Sequence, residues 1–207
     1  MSRDWKKDFE EYGAIWIHDG NPARPHALLT SGLHSDGFVN CTKVTQQPFV
    51  LQAAVTEGLS PQLRDLRPDW VIGSAFGAIT FAHAVAHYLI ARAGFTEKDG
   101  DGMKLARFEI APNETVLVVE DTISTGGSTK KTIEGIIASG VDDKQILPYI
   151  IALVNRSGSE DLAGRKIRAL LTPVIHAWTP SECPLCKAGS QPVRPKVHWN
   201  ELTRKEK

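Results

Sequence analysis

The sequence predicts an α/β fold, a parallel central sheet with helices on both faces, and three observations carry that prediction. Three short apolar runs rich in β-branched residues, Trp70–Ala75 (WVIGSA), Thr115–Asp121 (TVLVVED) and Ile146–Val154 (ILPYIIALV), read as strands buried on both sides. Helical patterns lie between them, at Ile79–Ala93 and Ser128–Ser139. Turn residues bound every run. Strand and helix in alternation are the mark of a parallel sheet covered by its own crossover helices.

In chain order, Arg3–Tyr12 is charged with spaced apolar positions and predicts a short first helix. The Gly/Pro/His-rich stretch up to Asn40 predicts loops and short strands. Pro48–Leu59 has apolar residues at helical spacing and a proline suited to the first turn. After the first strand and its helix, Gly94–Lys104 (GFTEKDGDGMK) carries three glycines and little apolar content, so it predicts a mobile loop. Gly140 is placed to end the helix Ser128–Ser139. Near the end, SECPLCKAGSQPVRPK predicts irregular turns, and residues 201–207 a frayed tail. No repeat or linker divides the chain, so residues 1–207 are expected to form one domain, with 1–45 and 172–200 as a small hood.

Composition narrows the function classes. The 207 residues contain 24 Lys plus Arg and 24 Asp plus Glu, a net charge of zero, which gives no basis for a nucleic-acid or membrane surface. Apolar residues make up 42%, enough for a packed core. No apolar run reaches the roughly 18 residues of a membrane helix, and the polar N-terminus lacks a signal-peptide core. Three cysteines, Cys41, Cys183 and Cys186, argue against a disulfide scaffold. A cytoplasmic protein acting on small molecules is the expectation.

The chemistry concentrates at Val118–Thr129, VVEDTISTGGST. A strand delivers Glu120 and Asp121. The chain then passes through Thr122, Ile123, Ser124, Thr125, Gly126, Gly127 and Ser128 into a helix. Two glycines allow positive φ and close backbone approach. Successive N–H groups at a helix start cradle an anion, aided by the helix dipole. The hydroxyls add donors for phosphate oxygens. Two acids just before such a cradle are poor phosphate ligands but suit the paired hydroxyls of a ribose. The segment therefore reads as a site for a ribose 5-phosphate. It lacks the glycine–lysine pattern of a nucleoside-triphosphate loop and the GxGxxG of a dinucleotide fold.

VVEDTISTGGST resembles the 5-phosphoribosyl 1-diphosphate motif of type I phosphoribosyltransferases. The resemblance implies that Glu120 and Asp121 hold the ribose hydroxyls and act in catalysis, that Ser124–Ser128 hold the 5′-phosphate, and that Mg²⁺ is bound mainly by the donor's own oxygens. WVIGSAFGAITFAHAVA resembles the family's pyrophosphate loop, which places Ser74, Ala75, Phe76, Gly77 and Ala78 on the pyrophosphate. HALLTSGLHSDGFVN and the Cys-Pro-Leu-Cys tail resemble the orotate branch, with Thr30 and Gly77 where many of its members carry lysines. That branch implies orotate as acceptor, near Arg156, Ser124 and Phe38. It also implies a mobile-loop cation, Lys98 ahead of Lys104 and Arg107, and a homodimer. Arg156 offers a fork that fits a carboxylate. Two alternatives stay open, a purine-type acceptor and a non-catalytic regulator that senses the donor.

Cys183 and Cys186 have the spacing of a zinc knuckle but supply two ligands where a structural site needs four. His176, His198 or a second subunit could complete it, and a plain structural turn is the alternative. His83 and His87, four apart on a helix, could share a metal or be satisfied or solvated helix histidines, and His18 and His26 are read as loop residues.

Overall fold

The structure, a computed structural model, describes residues 3–203. Its strands, in chain order, are β1 (Ile15–Ile17), β2 (His26–Leu28), β3 (His34–Ser35), β4 (Gly37–Val39), β5 (Trp70–Ser74), β6 (Arg92–Asp99), β7 (Gly102–Lys104), β8 (Val116–Ile123), β9 (Ile146–Asn155), β10 (Asp161–Leu162), β11 (Arg165–Leu171), β12 (Ala177–Trp178) and β13 (Pro192–Val193). Its α-helices are α1 (Trp5–Glu11), α2 (Thr42–Thr45), α3 (Pro48–Ala53), α4 (Ser60–Leu63), α5 (Ile79–Leu89), α6 (Gly127–Ala138), α7 (Pro184–Lys187) and α8 (Pro195–Leu202). The chain divides into two compact units. One comprises residues 3–5 and Val44–Pro173, the other Lys6–Lys43 and residues 174–203.

The first unit is the expected α/β layer structure. Seven strands run in the order β10-β11-β9-β8-β5-β6-β7, with the five central ones parallel and the short β10 and β7 antiparallel at the edges. Strand alternation assigns each residue to a face. Ile72, Val116, Val118, Ile150 and Ala152 pack with Ile133 and Ile136 of α6. Val71, Leu117, Val119, Ile151 and Leu153, which alternate with them, are equally buried, and they face the side where α5 and the α3 segment lie. Helices thus cover both faces, and each fully buried aliphatic chain contributes about 1.5–3 kcal/mol.

Three expectations need correction. The helix expected over Ile79–Ala93 stops at Leu89, because Ile90 turns left-handed at φ 57° and Arg92 already begins β6. The helix expected at Pro48–Leu59 is α3 followed by a wider π-type turn, Ala54–Leu59, that runs on into α4. Gly94–Lys104, expected as a mobile loop, has regular structure as the β6–β7 hairpin. Its Thr96 hydroxyl meets that of Thr132 at 3.0 Å, and the Met103 carbonyl lies so close to Gly135 of α6 that a Cβ there would stand 2.2 Å from it. Gly140, by contrast, ends α6 as expected, at φ 101°.

The second unit is built from both ends of the chain. Its four-stranded sheet has the order β12-β3-β2-β13, so two N-terminal strands are flanked by two C-terminal ones. A separate pair, β1 with β4, joins Ile15 to Val39. Part of the expected frayed tail is ordered, since α8 runs to Leu202, which is 3% exposed; residues 204–207 lie outside the described residues.

Candidate active site

The site forms where parallel strands end. β5, β8 and β9 are adjacent and point the same way, so their ends at Ser74, Ile123 and Asn155 lie at one edge of the sheet, with Asp121 two residues before the end of β8. Ligands on such sheets bind there, outside the carboxyl ends.

The two acids of β8 fall on opposite faces. Glu120 lies on the α6 side and is 3% exposed. Its Oε1 accepts from Ser74 Oγ at 2.7 Å and its Oε2 from Thr129 Oγ1 at 3.2 Å. Asp121 is half-buried, takes the Thr122 N–H at 2.8 Å, and faces the loop before α5, where a Cβ on Gly77 would lie 2.9 Å from Oδ2. Burial raises both carboxyl pKa values, and for Glu120 the charge of Asp121 raises it further. Sequence reasoning treated the two acids as an equal pair. The pleat of the strand makes one an internal anchor and leaves the other at the mouth.

Beyond Ile123 the backbone turns into α6. Gly126 has φ 76°, and any side chain there would meet Leu162 at 2.5 Å. The hydroxyl residues Ser124, Thr125 and Ser128 are exposed around it. The first N–H groups of a helix have no acceptor within that helix, so the start of α6 presents donors beside those hydroxyls. On the neighbouring loop, Ala75, Phe76 and Gly77 precede α5; Phe76 is 88% exposed and the Ala75–Phe76 peptide is cis. Ala78 is buried and caps that turn.

Arg156 follows β9 directly, and its N–H donates to the Ile123 carbonyl at 2.8 Å, which holds it beside the loop that begins at Ser124. Its guanidinium is half-buried, burial lowers its pKa, and no ion pair joins it among the described residues. Of the three loop cations, Lys98 is exposed on β6 opposite Met103, and Lys104 is exposed on β7. Arg107 is held by Glu97 through Nε and Nη2, the latter at 3.1 Å. Phe38 lies in the second unit, edge-on to Trp199 at 5.7 Å.

The histidines sort differently from expectation. His83 and His87 are exposed on α5. His176 pairs with Asp36 at 2.7 Å and His198 with Glu201 at 2.7 Å, so neither joins the cysteine pair. The histidines beside Cys183 and Cys186 are His26 and His34. The sequence reads His26 as a loop residue; it lies on β2 and His34 on β3, and both are buried together with their strand neighbours Ala27 and Ser35.

A parallel sheet whose central strand ends in an acid pair, followed by a glycine-bearing hydroxyl loop at a helix start, defines a phosphoribosyltransferase of the type I class. No family model matches the chain. Curated relatives do: it is 37% identical over 190 residues to the orotate phosphoribosyltransferase of Acidithiobacillus ferrooxidans, covering 90% of this chain and 95% of that one. It is 40% identical over 177 residues to that of Heliobacterium modesticaldum, covering 82% and 88%. The crystal structure of orotate phosphoribosyltransferase from Aeropyrum pernix shares the fold with a TM-score of 0.57 at 21% identity, covering 80% of this chain and 92% of that one. The chain belongs to the orotate phosphoribosyltransferase family.

Proposed function

We propose that the chain transfers ribose 5-phosphate from 5-phosphoribosyl 1-diphosphate to orotate, giving orotidine 5′-phosphate and pyrophosphate for pyrimidine nucleotide synthesis. The observation that carries the reading is the division of labour at the end of β8. Asp121 stands at the mouth beside Gly77, and Glu120 behind it ties β5 to α6.

In this reading Asp121 accepts from the ribose hydroxyls, with Glu120 fixing its position. Ser124, Thr125, Ser128 and the N–H groups of Gly126 and Gly127 hold the 5′-phosphate. Ser74–Ala78 line the pyrophosphate, where Gly77 lets the backbone come close to the Asp121 carboxylate, which a Cβ would meet at 2.9 Å. Arg156, half-buried and without an anionic partner among the described residues, takes the orotate carboxylate, with Ser124 beside it. The bond from C1 to the pyrophosphate oxygen breaks, pyrophosphate leaves with the electron pair, and C1 bonds to a ring nitrogen of the acceptor, whose N–H proton passes to the leaving pyrophosphate or to water. The side chains act through position and charge on a C1 with oxocarbenium character.

Mg²⁺ fits this mouth, because a hard cation takes oxygen ligands and Asp121 presents a carboxylate there. Asp121 would be the protein oxygen closest to it, the donor's pyrophosphate and ribose supplying most ligands; when bound it neutralises the leaving group. Lys98 is the proposed loop cation, since Arg107 is already engaged by Glu97. Unchanged kcat in Lys98→Ala would remove that role. The family resemblance extends the proposal to a homodimer, and the free cysteines fit a reducing cytoplasm. No helix of the described residues is long and apolar enough to cross a membrane.

The test is pyrophosphate release from the donor with Mg²⁺ and a panel of bases. Release with orotate alone supports the proposal. Release with a purine moves the acceptor, and donor binding without turnover of any base points to a regulator.

A further inference from the structure

We propose that His26, His34, Cys183 and Cys186 form a structural zinc site that closes the second unit. The four donor atoms all lie within 4.8 Å of one another. His26 Nε2 is 3.0 Å from His34 Nδ1, 3.6 Å from Cys183 Sγ and 3.5 Å from Cys186 Sγ, and His34 Nδ1 is 3.2 Å from Cys186 Sγ. A zinc tetrahedron with bonds of about 2.3 Å to sulfur and about 2.0–2.1 Å to nitrogen separates neighbouring ligand atoms by roughly 3.3–3.8 Å. Four of the six ligand–ligand separations are thus within a few tenths of an ångström of the geometry the ion needs, and the other two stay under 4.8 Å.

The hydrogen bonds behind the cluster aim it. Ser190 Oγ donates to the Arg24 carbonyl at 2.6 Å, so toward His26 Nδ1, at 2.8 Å, it acts as acceptor. That places the His26 proton on Nδ1 and leaves the Nε2 lone pair pointing at the two sulfurs. A metal-bound histidine is held in this way, through its second nitrogen. Ser190 is 3% exposed, His26 and Cys183 are 0%, and His34 is 6%. Four protein ligands, three of them buried and Cys186 half-buried, leave no position for substrate, which marks the site as structural, and an S₂N₂ set selects zinc.

The site explains how two distant segments make one unit. His26 opens β2 and His34 opens β3, whereas the Cys-Pro-Leu-Cys turn lies in the connection from β12 to β13, the strands that flank them. A bound ion pins that connection to the inner strands across more than 140 residues of sequence. In a hood this small, metal binding supplies folding free energy that its few buried side chains cannot.

Metal analysis of the full-length protein, purified without a histidine tag, is expected to show one Zn²⁺ per chain that resists dialysis and is released by a strong chelator with a fall in Tm. Replacing Zn²⁺ with Co²⁺ is expected to produce the visible bands of a tetrahedral site and thiolate charge-transfer absorption near the ultraviolet. His34→Ala should alter those bands, and Cys183→Ser/Cys186→Ser should abolish them. Ser190→Ala keeps all four ligands and should weaken affinity about 10- to 100-fold. Folded wild-type protein that carries no metal and gives no Co²⁺ bands overturns the proposal, whether or not the variants fold. So does a native mass showing Cys183 joined to Cys186 as a disulfide.

Discussion

Ser74, the last residue of β5, donates its hydroxyl to Glu120 of β8 at 2.7 Å. Thr129 of α6 reaches the other carboxylate oxygen at 3.2 Å. One buried acid therefore joins β5, which leads into the Ala75–Ala78 loop, to α6, whose start follows the Ser124–Gly126 loop.

From this relationship the two acids should separate by experiment. Glu120→Ala leaves two buried hydroxyls without their acceptor, at about 1–3 kcal/mol for each group left unsatisfied. It should lower the urea midpoint as well as activity. Asp121→Asn removes charge at the mouth and should lower kcat while leaving the midpoint near wild type. Equal midpoints for the two variants would contradict the anchor role.

Gly126 is the glycine the cradle cannot exchange. Gly126→Ala forces an L side chain to φ 76° and against Leu162, a backbone cost of about 1–3 kcal/mol before the overlap is counted. Leu162→Ala removes only the overlap. A double-mutant cycle by urea denaturation should therefore show partial recovery rather than additivity.

Arg156 should govern the acceptor alone. Arg156→Gln deletes a charged hydrogen-bond partner worth about 1.5–3 kcal/mol, so KM for orotate should rise about 10- to 100-fold. KM for the donor and Tm should hardly move, because no ion pair at Arg156 is broken among the described residues. A rise confined to the donor KM would reassign the residue.

Stability should depend on pH through Glu114. The guanidinium of Arg92, the Ala111 N–H and the Trp70 indole hold its carboxyl down to about 2, from an ordinary 4.5. The folded value lies below the unfolded one, so the stabilisation is complete above pH 4.5 and is lost as pH falls toward 2. The Tm gap between wild type and Glu114→Gln should be widest near pH 6 and narrow steadily below 4.5. A gap independent of pH would show that packing, not charge, is what the substitution removes.

The proposed donor site was legible in the sequence because it is nearly contiguous. Strand, acids, glycine loop and helix occupy Val116–Ala138 without interruption, and each step leaves a local signature. The β6–β7 hairpin was not legible. Its order comes from Gly135 and Thr132 of α6, some 30 residues away, and nothing within GFTEKDGDGMK reports that contact. The unequal roles of Glu120 and Asp121 were half legible, since strand alternation puts neighbours on opposite faces, but only α6 decides which face is covered.

The sequence by itself determined the α/β layering, the three central strands and the ribose-phosphate motif, because hydrophobic periodicity and loop chemistry are local properties of the chain. Tertiary structure alone decided that His26 and His34 face Cys183 and Cys186, with His176 and His198 turned to Asp36 and Glu201. Spacing along a chain fixes ligands a few residues apart. Ligands more than a hundred residues apart meet only when β-pairing of β2 and β3 with β13 and β12 brings the two ends of the chain into one sheet.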